Sequence, residues 1–138
     1  MKPTVEGILE SAIYVDDIGV SVAFYSKVFS FSVLFENKRM SAMSVSGKQV
    51  LLIFKKGMSA AQGPTPEGEV PGHDGNGDLH LAFAVDKKDL PQWRRWLEEN
   101  GIAIESTVRW NLGGESVYFR DPDNHSVELA TRGTWEIY

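Results

Sequence analysis

Short runs in which apolar and polar residues alternate make up most of this chain, and a helical pattern interrupts them twice. Alternation with a period of two predicts strands that bury one face, and apolar residues every three or four positions predict a helix. The first cycle has strands at Ile8–Val15, Phe31–Glu36, Met40–Val45 and Gln49–Lys55, and after the first strand a helix whose apolar stripe is Ile18, Val22, Tyr25 and Phe29.

The same order of elements returns in the second half. Strands are predicted at Leu79–Val85, Ala103–Arg109, Glu115–Arg120 and His125–Ala130, and the helix after the first of them carries Leu90, Trp93 and Leu97. The segment LESAIYVDD, from Leu9, aligns with LHLAFAVDK, from Leu79. The order strand, helix and three strands therefore occurs twice, which indicates an internal duplication.

This repeat predicts an α+β fold of two βαβββ modules, which form a cupped, mostly antiparallel, eight-stranded sheet with the helices on its outer face. We expect one domain over residues 1–138, with module one at 8–56, module two at 78–131 and a tail at 132–138. Residues 57–77 are rich in glycine and proline and are interpreted as a linker or mobile loop, in which His73 is expected to face solvent.

Helix boundaries are predicted from capping residues. Asp16 or Asp17 is expected to cap the first helix through backbone N–H groups. Asp89 is expected to cap the second helix, with Pro91 in the first turn, and Gly101 to end that helix.

Three side chains that commonly bind metals lie on the faces opposite the large apolar residues. In the aligned repeats Glu10 corresponds to His80, while Glu128 follows the turn Asp121–Asn124 and corresponds to Leu51. The residues two positions away are small, which would leave room for a cavity. One imidazole and two carboxylates suit a divalent metal ion with positions left for water or substrate.

A simpler interpretation of the same pattern remains open. A sheet with one solvated face alternates apolar and polar residues without any site, so that Glu10 and Glu128 could be surface residues. His80 could be a structural, hydrogen-bonded histidine. Trp110 is expected in the core or at a dimer interface, and His125 is expected to hydrogen-bond locally.

Composition narrows the classes of partner. The net charge of −5 and the pI near 5.2 argue against nucleic acid or an anionic membrane. The chain has no cysteine, which excludes disulfides, thiolate nucleophiles and cysteine-bound zinc. No apolar run is long enough to span a bilayer, so we expect a soluble, cytoplasmic protein.

The segments LESAIYVDDIGVSVAFY, DLHLAFAV and YFRDPDNHSVEL resemble the vicinal oxygen chelate superfamily, which includes glyoxalase I and the fosfomycin-resistance, bleomycin-resistance and extradiol dioxygenase proteins. The resemblance extends from about Leu9 to Ala130. It implies metal ligands at Glu10, His80 and Glu128, with Leu51 at the fourth position. Glu10 departs from the histidine or glutamine that metal-dependent relatives usually have.

The resemblance also implies a chemistry. A manganese, magnesium, nickel, zinc or iron ion would chelate two neighbouring oxygens of a small substrate and stabilise developing negative charge. Glu10 is the first candidate for general base, Glu128 is an alternative, and Tyr118 could donate to bound substrate. An apolar side of the cavity is expected from Met40, Met43, Leu51 and Ile53.

We therefore expect a metal-dependent lyase, isomerase or transferase of the glyoxalase type that acts on a small metabolite or xenobiotic, and that forms a homodimer. Two alternatives remain. One is a metal-free protein of the bleomycin-resistance type that sequesters a small molecule. The other is a ring-cleaving dioxygenase, which the single histidine disfavours because such iron sites usually have two histidines and one carboxylate.

Overall fold

A computed structural model describes residues 1–61 and 63–138, which divide into two units, Met1–Asn76 and Gly77–Tyr138. The first unit contains β1 (Glu10–Val15), α1 (Ile18–Phe29), β2 (Ser32–Glu36), β3 (Met40–Val45), β4 (Gln49–Lys55) and a hairpin of β5 (Gly63–Thr65) and β6 (Gly68–Val70). The second unit contains β7 (His80–Ala84), a 3₁₀ turn (Lys87–Asp89), α2 (Leu90–Glu99), β8 (Ser106–Arg109), β9 (Glu115–Arg120) and β10 (Ser126–Ala130).

Each unit contains a four-stranded sheet with the same topology. The orders are β1-β4-β3-β2 and β7-β10-β9-β8, in which β1 pairs with β4 and β7 with β10 in parallel and the other neighbours are antiparallel. The predicted α+β fold of two βαβββ modules is confirmed. Neither described helix is long and apolar enough to cross a membrane.

The register within each sheet shows which positions of the two units correspond. Ala12 lies opposite Leu52 in the first unit, and its counterpart Ala82 lies opposite Glu128 in the second. Leu52 is therefore the counterpart of Glu128, and the prediction of Leu51 is wrong by one residue. Because neighbouring positions on a strand face opposite sides, Leu51 is on the core side and is only 2% exposed.

The buried face of each sheet carries the large apolar side chains. In the first unit these include Ile13, Val15, Met43, Leu51 and Ile53, and in the second Val117, Phe119, Val127 and Leu129. α1 contacts β3 and β4. Burial of each such side chain stabilises the fold by about 1.5–3 kcal/mol. The expectation that Met43, Leu51 and Ile53 line a cavity is wrong, because these residues form the core, whereas Met40 lies on the opposite face and is half-buried.

The N-terminal cap of α1 and the end of α2 follow the prediction, whereas the N-terminal cap of α2 does not. The Asp17 side chain accepts a hydrogen bond from the Val20 N–H at 3.0 Å, as expected. Asp89, in contrast, makes no side-chain cap. The 3₁₀ turn precedes α2, and Asp86 caps that turn by accepting from the Lys88 N–H. Gly101 follows α2 with φ of +69°, as predicted for the end of a helix.

The glycine-rich segment 57–77 contains the β5–β6 hairpin and then lies against the first sheet; Gln62 is outside the described residues. The expectation that His73 faces solvent is wrong. His73 is half-buried, its Nδ1 lies 2.7 Å from the Tyr14 hydroxyl, and its ring contacts Phe54 with centroids 4.4 Å apart. A Cβ on Gly75 would lie 2.3 Å from the Tyr14 ring, so only glycine allows this approach.

Candidate functional site

Two of the predicted site residues, His80 and Glu128, meet in the second unit. β7 and β10 are parallel neighbours, with His80 opposite Ser126 and Glu128 opposite Ala82, so the two side chains are diagonal neighbours on one face. His80 Nε2 lies 3.2 Å from Glu128 Oε2. The Glu128 residue is only 6% exposed, whereas the imidazole is about half exposed. A buried carboxylate therefore faces a solvent-accessible imidazole.

The other nitrogen of His80 determines what this contact can be. Nδ1 lies 3.0 Å from the Ser126 carbonyl oxygen, which can only accept a hydrogen bond, so Nδ1 carries a hydrogen. Nε2 then has either a free lone pair or a second proton. With a free lone pair, Nε2 and Oε2 are both acceptors and need a cation between them. The geometry thus calls for either a proton or a metal ion at this point.

The second oxygen of Glu128 is held by a chain of hydrogen bonds. The Ser116 hydroxyl donates to Oε1 at 2.5 Å, and the Trp110 Nε1–H donates to the Ser116 oxygen at 2.8 Å. Ser116 is completely buried. Ser116 therefore contacts Oε1 and His80 contacts Oε2, and Tyr118 is a third partner of this carboxylate.

Tyr118 lies directly opposite Glu128 in the β9–β10 pair, as the predicted hairpin required. Burial raises the pKa of the Tyr118 phenol above its usual value, and the hydrogen bond to Glu128 and the Glu128 charge raise it further, while a hydrogen bond from Ser116 acts in the opposite direction. The phenol consequently stays protonated at neutral pH and is able to donate. Its ring lies roughly parallel to that of His80, with centroids 6.3 Å apart.

The turn between β9 and β10 supports this arrangement. Asn124 adopts φ of +64°, a left-handed conformation that asparagine tolerates, and the Asp121 carboxylate accepts from the backbone N–H of His125 at 2.9 Å. The backbone of His125 hydrogen-bonds locally to Asp121, as expected, but its ring has a distant partner as well. Its Nδ1 accepts from the Leu79 N–H at 2.9 Å, so a fully buried imidazole fixes the residue just before His80.

Glu10 is the first residue of β1 in the first unit, and its side chain is exposed. Among the residues that the structure describes, no three His, Asp or Glu side chains are grouped so that they could hold a metal ion. The structure thus brings together two of the three side chains that were predicted as ligands, His80 and Glu128. The participation of Glu10 stays a prediction.

Sequence reasoning did not identify Ser116 and Trp110 as part of the site. Ser116 precedes Tyr118 by two positions and therefore shares its face, which is a signal that strand periodicity could have provided. Trp110 was expected in the core or at an interface. Its indole is 38% exposed, and only its N–H is directed to a buried partner.

The donor atoms of the pair fit a divalent metal ion. An imidazole nitrogen and a carboxylate oxygen are ligands for manganese, nickel and zinc. Ligand bonds of about 2.0–2.2 Å to one ion are compatible with donors as close as His80 Nε2 and Glu128 Oε2. The second atoms of both ligands are hydrogen-bonded, to the Ser126 carbonyl and to Ser116, as is typical for metal ligands.

Comparison with known proteins places this geometry in a family. A metallothiol transferase FosB of Staphylococcus epidermidis is 28% identical over 118 residues, which cover 85% of this chain and 75% of that protein. The crystal structure of lactoylglutathione lyase from Agrobacterium tumefaciens superposes with a TM-score of 0.87 and 33% identity, covering 98% of this chain and 99% of that chain. A catechol-2,3-dioxygenase of Bacillus subtilis is 33% identical over 84% of this chain but only 39% of its own length.

The sequence model of one family matches residues 7–129, a range that includes module one, all but the last two residues of module two, and every predicted ligand. The match agrees with the duplicated topology and with the three relatives. This chain belongs to the Glyoxalase/Bleomycin resistance protein/Dioxygenase superfamily.

Proposed function

We propose that this protein is a metal-dependent enzyme of the lyase, isomerase or transferase type that binds a small molecule through two neighbouring oxygen atoms. The observation that carries the proposal is the contact between His80 Nε2 and the buried Glu128 Oε2 at 3.2 Å. Because a buried carboxylate is costly without a compensating positive charge, this contact favours a bound cation.

In this proposal His80 and Glu128 are ligands and Glu10 is the third. A divalent ion bound there would polarise the substrate oxygens and stabilise the negative charge that develops on them. The donor set of one imidazole and carboxylates suits manganese, magnesium, nickel or zinc better than the iron of ring-cleaving dioxygenases, which usually has two histidines.

The remaining chemistry belongs to side chains of the chain itself. Tyr118 keeps its proton at neutral pH because its pKa is raised, so it can donate a hydrogen bond to a substrate oxygen. Glu10 is proposed as the general base, since its carboxylate is exposed, whereas that of Glu128 is buried and held by Ser116. Glu128 is the alternative base, and it is less suited because Ser116 occupies Oε1.

The names of the relatives suggest the class of substrate. One is a metallothiol transferase and another a lyase of lactoylglutathione, which is a thioester with a hydroxyl next to its carbonyl. We propose a substrate with vicinal oxygens, and a reaction that forms or breaks a bond to the sulfur of a thiol.

We also propose that the protein is a homodimer in solution. Sedimentation of the purified protein tests this proposal.

Metal binding provides the first test. We expect purified protein to bind one divalent ion per chain in calorimetric titrations with Mn²⁺, Ni²⁺ and Zn²⁺. Glu128→Gln should weaken binding by more than about 100-fold, because loss of a ligand exceeds the 10–100-fold cost of losing an outer-shell partner. Glu105→Gln is the matched control, since Glu105 lies in the same unit and pairs with Arg120 at the surface.

Activity provides the second test. Metal-loaded protein should convert lactoylglutathione or transfer a thiol to a small acceptor with two neighbouring oxygens, and Tyr118→Phe should slow the reaction. If native protein holds no metal and binds none in titrations, the metal-dependent enzyme is excluded. The alternative, a metal-free protein that sequesters a small molecule, is then favoured. Oxygen uptake with a catechol would instead support the dioxygenase.

A further inference from the structure

We propose that Trp110 and Ser116 are positioning residues that orient the Glu128 carboxylate, so that Oε2 is the oxygen left for an ion shared with His80. The inference deepens the proposed function and, for its metal-binding part, rests on it. Its structural basis is the hydrogen-bond chain from the Trp110 indole through Ser116 to Glu128 Oε1.

The direction of this chain follows from the donor groups. An indole Nε1–H can only donate, so the Ser116 oxygen accepts from Trp110 at 2.8 Å. While Tyr118 is protonated, its oxygen is a neutral acceptor, so the single hydrogen of the Ser116 hydroxyl is left for the charged Oε1, which lies 2.5 Å away. The carboxylate accepts a directed, charge-assisted hydrogen bond at one defined oxygen.

Burial makes this orientation hard to exchange. Ser116 is completely buried and Glu128 is only 6% exposed, so water has little access to replace the hydroxyl at Oε1. Rotation of the carboxylate would break a buried bond to a charged group, which is among the more costly hydrogen bonds to lose. Oε2 is therefore the Glu128 oxygen that would be available to an ion shared with His80.

The backbone around Trp110 holds the indole in place. The Trp110 N–H donates to the Gly114 carbonyl at 2.8 Å, and its carbonyl accepts from the Gly113 N–H at 3.0 Å. The segment between β8 and β9 is thus closed by two hydrogen bonds at Trp110 itself. An indole on a closed turn can direct its N–H into the sheet even though its ring is partly exposed.

A matched pair of variants isolates the hydroxyl. Ser116→Thr keeps an oxygen donor, and Ser116→Val has nearly the same shape without it. We expect the valine variant to bind Mn²⁺ or Zn²⁺ about 10–100-fold more weakly than wild type, and the threonine variant to regain most of the loss. If the threonine and valine variants bound the metal with equal affinity while wild type bound it normally, the inference would be overturned. The proposed function would remain intact.

Trp110→Phe tests the first link without changing the strand. It removes the indole N–H and keeps an aromatic ring. Because Trp110 acts through the Ser116 hydroxyl, Trp110→Phe should weaken metal binding in wild type and have little effect in a Ser116→Ala background. Additive effects of the two substitutions would contradict the chain.

A measurement on metal-free protein separates this inference from the proposed function. The Trp110 indole N–H resonance should shift in Glu128→Gln, because the carboxylate no longer polarises the Ser116 hydroxyl, and this response should vanish in a Ser116→Ala background. An indole resonance that ignores Glu128→Gln overturns the inference whether or not metal binds. If wild type binds no metal but the resonance responds as expected, the positioning stands and the proposed function fails.

Discussion

The four-stranded sheets of the two units share strand order and one parallel pair, β1 with β4 and β7 with β10, yet the faces opposite their cores carry different chemistry. In the second unit this face presents Ser116, Tyr118 and Glu128. The positions with the same register in the first unit are Met40, Ala42 and Leu52. A polar, hydrogen-bonded cluster thus corresponds to an apolar one.

The first unit also covers part of this face with its own chain. The Tyr14 and Phe54 rings stack with centroids 5.7 Å apart, and His73 from the segment after the hairpin lies against both. In a duplicated module the core face therefore preserves the fold. The opposite face is free to become a site in one copy and an apolar surface in the other.

The largest expected effect is a loss of stability, and it tests the core face that the two units share. Ile53 and Leu129 occupy matching core positions, and both are fully buried. Ile53→Ala and Leu129→Ala should each lower the free energy of unfolding by about 2–5 kcal/mol, because each leaves a cavity in a packed core. Leu52→Ala, on the half-buried opposite face, should cost about 1 kcal/mol. Denaturant unfolding measures all three, and a Leu52→Ala cost as large as that of Ile53→Ala would refute the assignment of faces.

A smaller effect, on the pKa of Tyr118, tests the polar face by which the second unit differs from the first. The raised pKa of Tyr118 comes first from burial and then from Glu128, so Glu128→Gln should lower this pKa without restoring the usual value. The tyrosinate absorbance of each protein, minus that of its Tyr118→Phe counterpart, measures the shift.

The raised pKa of Tyr118 determines the direction in which the stability of the folded protein changes with pH. The folded protein holds the phenolic proton more tightly than the unfolded chain does. The stabilisation is complete below the usual tyrosine pKa and is lost as pH rises through the folded value. Tyr118→Phe should flatten this alkaline decline in stability, and a decline that is unchanged would contradict the assignment.

The smallest expected effect is on stability, and it concerns the residues that follow the two helices. Ser30 follows α1 with φ of +59°, and Gly101 follows α2 with φ of +69°. Gly101→Ser should destabilise the protein by about 1 kcal/mol, because a side chain is strained in this conformation. Ser30→Gly should be neutral or stabilise by less than about 1 kcal/mol, since the relief of strain is offset by the greater freedom of glycine in the unfolded chain. Thermal unfolding of both variants tests the pair.

The sequence by itself determined the class of fold and much of the second unit's site. The alternation of apolar and polar residues gave the observed bounds of Met40–Val45, Gln49–Lys55 and Glu115–Arg120. It also put His80 and Glu128 on the faces that do meet. Such periodicity works because side chains on a strand alternate between two faces, whatever the strand pairs with.

Only the tertiary structure decided the register between strands and the partners of polar groups. It replaced Leu51 by Leu52 as the counterpart of Glu128, and it brought the Trp110 indole to Ser116 and His73 to Tyr14. A shift of one residue reverses the face of a whole strand, and register depends on packing contacts far apart in the chain. Hydrogen bonds have the same dependence, because the direction of a donor has meaning only once its distant acceptor is in place.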